Sequence, residues 1–312
     1  MAQFLSRRAL SLIFVLFSLT FLTFMIGRLV PGDPILVLMG PRRDPATYAR
    51  LRHLYGLDRS LIAQYIGYAG GLLRGDFGLS FRYEGRPVRE LIAQGVPISL
   101  LVGGLALALS VLVGVPLGML AALRQNGPLD RGIVGLTLAF YAVPSFVLIP
   151  LIWALNLLAY RAGWPSLPQA GWGRPEHLVL PTLVLAAANI GYITRLMRSS
   201  ALEVLRDDYV RTARAKGLRE RTVVLRHVLR NAILPVLTLL GPATAFLVTG
   251  AFVVENLFNI PGVGRISIEA IGQRDYPVIQ GTTIILGVTV VIMNTLTDML
   301  YRVFDPRIEL SE

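Results

Sequence analysis

"ISLLVGGLALALSVLVGVPLGMLAAL", residues 98–123, runs its whole length without a charged side chain. A helix that crosses the hydrocarbon core of a bilayer needs about 20 such residues. Five further windows are equally free of charge: Ala9–Gly27, Gly132–Tyr160, Leu178–Thr194, Ala232–Val254 and Pro277–Thr297. A soluble core would show shorter apolar runs with periodic polar breaks. Composition agrees, with 54% hydrophobic and only 16% charged residues, against about 25% charged in soluble domains. The windows predict an all-α polytopic membrane protein with six transmembrane helices. The first window is read as a retained span. Arg7 and Arg8 would suit a signal peptide, but the apolar run outlasts its usual roughly 7–15 residues and no small-x-small site precedes Arg28.

Arginine placement sets the expected orientation. With Arg7 and Arg8 inside, six spans leave both termini cytoplasmic. The inside segments then hold 16 basic residues, ten of them between Arg195 and Arg230, and the two short outside loops hold four: Arg161, Arg174, Arg265 and Arg274. Short loops follow the positive-inside bias, whereas loops beyond about 60 residues are largely exempt, so the loop 31–97 carries no weight. A net charge of +11 is therefore a membrane-topology signal, and no nucleic-acid partner is inferred.

The loop 31–97 reads as a small folded cap. Asp44-Pro45 supplies an N-cap and a proline at N1, with Gly56 as the stop. Leu51, Leu54 and Tyr55 form its apolar stripe. A second helix is expected from about Asp58 to Ala69, ending at Gly70-Gly71. A third should start near Pro87 and run into the second span, with a kink at Pro97. "RGDFG" at 74–78 contains adhesion-like and kinase-like strings, but the glycine-rich loop, strand lysine and HRD of a kinase are absent. It is read as turn chemistry.

No catalytic or metal-binding constellation is present. His53, His177 and His227 lack metal-ligand spacing. Asp298 stands alone near the inner end of the sixth span, whereas ion-driven carriers usually keep ionisable groups at membrane depth. Asn189, Asn256 and Asn294 are the candidates for lining a translocation path, although a helix–helix hydrogen bond is the plainer role for each. Lys216, the only lysine, lies in Ala-Lys-Gly, so there is no GxxxxGK[ST] phosphate loop. No cofactor is expected, and any ATP must be bound elsewhere.

The basic segment "DDYVRTARAKGLRER", 207–221, has design beyond its charge. Asp207 or Asp208 can cap a helix through Tyr209, Val210 and Ala213. Gly217 falls at the C′ position and Leu218 at C″, the pattern of a Schellman stop. Val224, Leu225, Val228 and Leu229 then give a second helix an apolar face leading into the fifth span. A protruding helix–turn–helix should offer Tyr209, Arg211 and Thr212 to a partner.

"YVRTARAKGL" (209–218) with "LRHVLRNAILPV" (225–236) resembles the cytoplasmic EAA loop of binding-protein-dependent ABC importer permeases, in the dipeptide, oligopeptide and nickel branch. The resemblance extends through "RLVPGDP" (28–34), "YGLDRSL" (55–61), "GDFGLSF" (75–81), "ENLFNIPGVGR" (255–265), "RDYPVIQG" (274–281) and "DPR" (305–307). Arg211-Thr212-Ala213 stands where the general motif has Glu-Ala-Ala. Gly217 matches its central glycine, and Leu229-Arg230 replaces its later Leu-Pro.

That resemblance implies a type I importer permease fold in a bacterial inner membrane. Residues 1–94 would form the first span and outer loop, 95–303 the transporter domain with a coupling loop at about 199–231, and 304–312 a short cytoplasmic tail. It implies a non-enzymatic subunit working with a second homologous permease, one or two cytoplasmic ATPase subunits, an extracytoplasmic substrate-binding protein and membrane lipid. Asp208, Tyr209, Arg211, Thr212, Ala213, Lys216 and Gly217 would engage the ATPase through a helix at about 208–217, with Ala213 and Gly217 packing closely into its groove. Dipeptides, longer peptides, glutathione-like compounds and nickel chelates all remain open as cargo. The alternative is an ion-coupled secondary transporter, which the lack of intramembrane carboxylates disfavours.

Overall fold

The computed structural model describes residues 2–29, 33–39, 44–83 and 85–304. In chain order the helices are α1 (Ala2–Leu29), α2 (Pro34–Met39), α3 (Pro45–Leu54), α4 (Leu61–Leu72), α5 (Val88–Leu123), α6 (Pro128–Ala142), α7 (Ser145–Arg161), α8 (Glu176–Val204), α9 (Asp208–Ala215) and α10 (Glu220–Thr222). A π-helical turn at Val223–Val228 follows, then α11 (Leu229–Ala232), α12 (Leu234–Leu257), α13 (Val263–Gln273) and α14 (Tyr276–Phe304). Among the described residues the only β pairing is an isolated bridge between Leu79 and Pro87. Among the described residues, five helical stretches are long and apolar enough to cross a membrane, or six if α6 and α7 together make one span.

The window Gly132–Tyr160, expected as one helix, is broken. Helices α6 and α7 meet at 114°. Pro144 explains the break: its ring crowds the preceding residue out of the α region, and Val143 is extended at φ −89°, ψ 120°. Pro150 is accommodated inside α7.

The chain divides into two compact units, 1–99 with 260–291, and 100–259 with 292–312. In the first, Asp44 caps α3 by accepting from the Ala46 and Thr47 amides, and Gly56 ends that helix at φ +63°. Leu51 is buried, but Leu54, placed in the same stripe by the sequence, is exposed. Helix α4 starts later than expected, on a Ser60 cap, and continues through Gly70 and Gly71. Gly75 and Gly78 in the RGDFG string both take positive φ, and the Asp76 carboxylate accepts from the Gly78 amide, as turn chemistry requires. Val88, Leu91 and Ile92 at the start of α5 pack with Ala270 and Val278.

The second unit is built on α5, α6, α8 and α12. Its core joins Val115, Met119 and Ala122 of α5 with Ile193, Met197 and Ala201 of α8. Close approach is permitted by Gly118, where a Cβ would lie 2.5 Å from the Thr194 carbonyl oxygen and 2.6 Å from Met197 Cβ. Small residues at such crossings let membrane helices pack by dispersion, which must replace the hydrophobic drive that lipid cannot supply. The continuation of α8 carries two arginines with structural roles. Arg198 binds Asp130 of α6 through both Nε (2.6 Å) and Nη2 (2.7 Å), and Arg195 lies 4.4 Å from the Tyr141 ring centre.

Gly118→Leu should therefore destabilise the protein by about 1–3 kcal/mol through overpacking. Gly103→Leu, at a site where a new Cβ meets nothing within 4 Å, should be close to neutral. Thermal unfolding of the two variants in detergent checks the contrast.

Candidate functional site

The basic segment folds into the helix–turn–helix read from its sequence. Asp207 occupies the N-cap position of α9, but its side chain makes no capping bond. At the other end Lys216 is the C-cap and Gly217 lies at φ +74°. The Gly217 amide donates to the Arg214 carbonyl at 2.9 Å and the Leu218 amide to the Ala213 carbonyl at 3.4 Å. These are the two bonds of a Schellman stop. Arg214 reaches across the turn to Glu220, Nη2 to Oε1 at 2.6 Å and Nε to Oε2 at 3.1 Å. Both side chains are largely exposed, so this pair orients more than it stabilises.

The amphipathic split of α9 sets what it can offer. Val210 and Ala213 are 0% and 5% exposed, within the same core as Met197, Ala201, Val223, Val224 and Val228. The opposite face, at i, i+3, i+4 and i+7, is Asp208, Arg211, Thr212 and Ala215, all exposed. Lys216 extends it. Ala213, expected to pack into a partner's groove, instead fills the chain's own core, because it shares the face of Val210 three residues earlier. Ala215, not singled out from the sequence, takes the outward position.

Tyr209 is tethered as well as partly exposed. Its hydroxyl accepts from Asn231 Nδ2 at 2.6 Å and donates to the His227 carbonyl at 3.4 Å. The returning helix differs from its expected pattern: Leu225, placed on the apolar face, is 52% exposed. The π turn is the reason. Its wider i→i+5 bonding, seen in the Leu229 amide to Val224 carbonyl bond, gathers Val223, Val224 and Val228 onto one side and rotates Leu225 outward.

The three asparagines have different settings. Asn189 is buried and donates to the Leu185 carbonyl of its own helix at 3.3 Å. Asn256 is exposed near the end of α12. The Asn294 amide oxygen lies 2.6 Å from the position of a Cβ on Gly241, a close packing of α14 against α12. Of Asp298 only the backbone is described, and the tail from 305 on, including "DPR", lies outside the described residues. Among the described residues, no group of three or more His, Cys, Asp or Glu could hold a metal ion.

A second arrangement was missed in the sequence. Asp275, only 2% exposed, accepts from the Ser80 hydroxyl and from the Phe81 and Arg82 amides at 3.0 and 3.1 Å. It thereby joins "GDFGLSF" to "RDYPVIQG", about 195 residues apart. Nothing in the spacing of either segment announces the partner.

The family model described as binding-protein-dependent transport system inner membrane component matches residues 114–310, and the model for the N-terminal part of such membrane components matches residues 1–100. The chain belongs to this family. It is accordingly a multi-pass component of the bacterial inner membrane. It is 40% identical over 315 residues to the dipeptide transport system permease protein DppB of Bacillus subtilis, covering 100% of this chain and 99% of that protein. It is 38% identical to the oligopeptide transport system permease protein OppB of Escherichia coli K12 over 311 residues, 99% of both chains. A solved structure of the MetNI methionine ABC transporter in an inward-facing conformation matches with TM-score 0.57 and 18% identity, over 69% of this chain and 96% of that one. The likeness confirms the all-α, type I importer permease fold.

Gly217→Val should loosen the turn by about 1–2 kcal/mol, the cost of the left-handed region for a side chain with Cβ. Asn tolerates that region better, so Gly217→Asn should lose less. Amide hydrogen exchange at position 217 and at Leu218 should rise more in Gly217→Val than in Gly217→Asn, and equal exchange in both variants would contradict the turn's dependence on backbone conformation.

Proposed function

We propose that this protein is the permease subunit of an ATP-driven importer of small peptides, coupled to its ATPase through the exposed face of α9. The observation that carries the reading is the shape of that helix: a polar face held outward by a back face with Val210 fully buried, in a chain similar over its whole length to dipeptide and oligopeptide permeases. Those relatives favour it over an ion-coupled secondary carrier. The chain itself has no phosphate-cradling loop, so ATP hydrolysis belongs to one or two separate cytoplasmic subunits. A second homologous permease would complete the path, and an extracytoplasmic binding protein would deliver the cargo. Within that path Asn189, Asn256 and Asn294 are the polar candidates. The division into 1–94, 95–303 and 304–312 follows the same reading.

In this reading Asp208, Arg211, Thr212 and Lys216 contact the ATPase directly. Ala213 and Gly217 act from behind, by seating and ending the helix, and Tyr209 ties it to the returning segment. Six spans with both termini in the cytoplasm are favoured by arginine placement. If α6 and α7 formed a re-entrant hairpin, the ten basic residues of 195–230 would lie outside, against the positive-inside bias.

The chain has no native cysteine, so single cysteines report cleanly. Thr212→Cys should crosslink to the ATPase in the assembled transporter, and Ala49→Cys should react with an impermeant maleimide from outside. Vesicles holding the full assembly should take up dipeptide only with ATP. Uptake by the permease alone on an ion gradient would overturn the reading, and reversed labelling would overturn the topology.

A further inference from the structure

The sequence places residues 61–72 in an aqueous cap, yet α4 packs beside a stretch of α1 that lies inside the candidate span Leu10–Arg28. Tyr65 stacks edge-on against Phe21 (5.8 Å between centroids) and contacts Phe24 (5.4 Å), and its hydroxyl is 3.2 Å from Thr20 Oγ1. Tyr68 also stacks on Phe24. Thr20 and Phe24 precede Arg28 by eight and four residues, which at 1.5 Å per residue is roughly 6–12 Å below the end of the span. Helix α4 therefore sits at acyl-chain depth.

Its composition suits that depth. "LIAQYIGYAGGL" has no charged residue, and with 12 residues it is too short to cross. Ile62 (74%) and Ile66 (65%) are exposed on a flank of α4 away from the two tyrosines, with Leu61 at the start of the helix at 53% and Leu73 just beyond its end at 92%. A Cβ on Gly67 or Gly70 would meet nothing within 4 Å.

Beside α4 is a cleft of about 460 Å³, lined among others by Arg28, Gln64, Gly67, Tyr68, Tyr276 and Gln280. Arg28 has no carboxylate partner among the described residues, and its guanidinium rests 5.3 Å over the Phe24 ring. The Tyr68 and Tyr276 hydroxyls and Gln64 Oε1 are buried there without hydrogen-bond partners among the described residues. A half-buried guanidinium beside two unpartnered hydroxyls calls for an anionic oxygen ligand. Arg28 ends the span, so the ligand lies at headgroup level. Ala63 and Gly67 line the cleft, and Ile66 lies three residues after Ala63, a neighbouring position on the helix surface, so headgroup site and apolar face adjoin.

We propose that this part of the chain seats a phospholipid of the outer leaflet, its phosphate held by Arg28, Tyr68 and Tyr276 and one acyl chain lying along Ile62 and Ile66 of α4. A soluble anion would satisfy Arg28 but leave four large apolar side chains in water. A lipid satisfies both halves of the surface, and it makes the outer segment a wedge in the leaflet where a free cap was expected. The choice of leaflet rests on the six-span topology above.

The test uses full-length permease in vesicles of phosphatidylethanolamine and phosphatidylglycerol. With Ile66→Cys, an impermeant maleimide should label at least tenfold more slowly than with Ala49→Cys in the same preparation, and a bimane attached at position 66 should be quenched by acyl-chain bromines. In a separate arm, Arg28→Gln should lose a tightly held phospholipid by native mass spectrometry while inserting normally, and Arg28→Lys should retain part of it. Labelling of Ile66→Cys as fast as the Ala49→Cys control would place α4 in water, and protection without quenching would mean a protein cover; either overturns the proposal. Unchanged lipid retention in Arg28→Gln, or displacement of the lipid by free dipeptide, would assign the cleft to a soluble carboxylate and also overturn it. Failure of Ala49→Cys to label from outside would instead indict the topology.

Discussion

The back face of α9 is the constraint on which the functional reading depends. Val210 and Ala213 are sealed into the core formed by α5, α8 and the π turn, a burial worth about 2–3 kcal/mol. Without it, eight residues of helix would be marginal in water, and the exposed polar face would have no fixed orientation. With it, α9 behaves as part of the bundle. A force applied at Arg211 or Thr212 reaches α8 through close-packed side chains, which transmit displacement because interiors compress little.

The membrane imposes the complementary constraint. Backbone groups in hydrocarbon must bond within their own helix, so the departures from regular helix fall at identifiable causes. Pro144 separates α6 from α7, and Asp130 at the start of α6 pairs with Arg198 of α8. The π turn lies at the start of the candidate span Glu220–Gly241, with Val223, Val224 and Val228 buried in the core. In the first unit Asp275 gathers Ser80, Phe81 and Arg82, so a buried carboxylate has four donors once the Val278 amide at 3.5 Å is included. A buried polar group is tolerable on such terms.

Much of this was legible in the residues. Charge-free windows gave the spans because length and apolarity are enough to define a membrane helix. Gly217 and Asp44-Pro45 gave a stop and a start because each serves a local backbone need. The misreadings have more than one cause. Leu54 and Leu225 follow regular periodicity only until tertiary packing and the π turn decide which face is inside, whereas the partner-facing role of Ala213 came from the family resemblance and not from its place beside Val210. Gly70-Gly71 looked like a stop, and helix α4 runs through it. The depth of α4 was hidden because its partner, Phe21–Phe24, lies far earlier in the chain. Asp275 was hidden because its donors are backbone amides and a serine, groups with no distinctive signature.

Spin labels at Lys216 on α9 and Glu203 at the end of α8 test the rigid attachment most directly, by pulsed dipolar distances in the assembled transporter with and without a non-hydrolysable ATP analogue. One narrow distance, the same in both states, is expected, since α9 moves only with its bundle. A distribution that shifts or splits when nucleotide binds would show α9 swinging on its own and contradict its rigid attachment to α8.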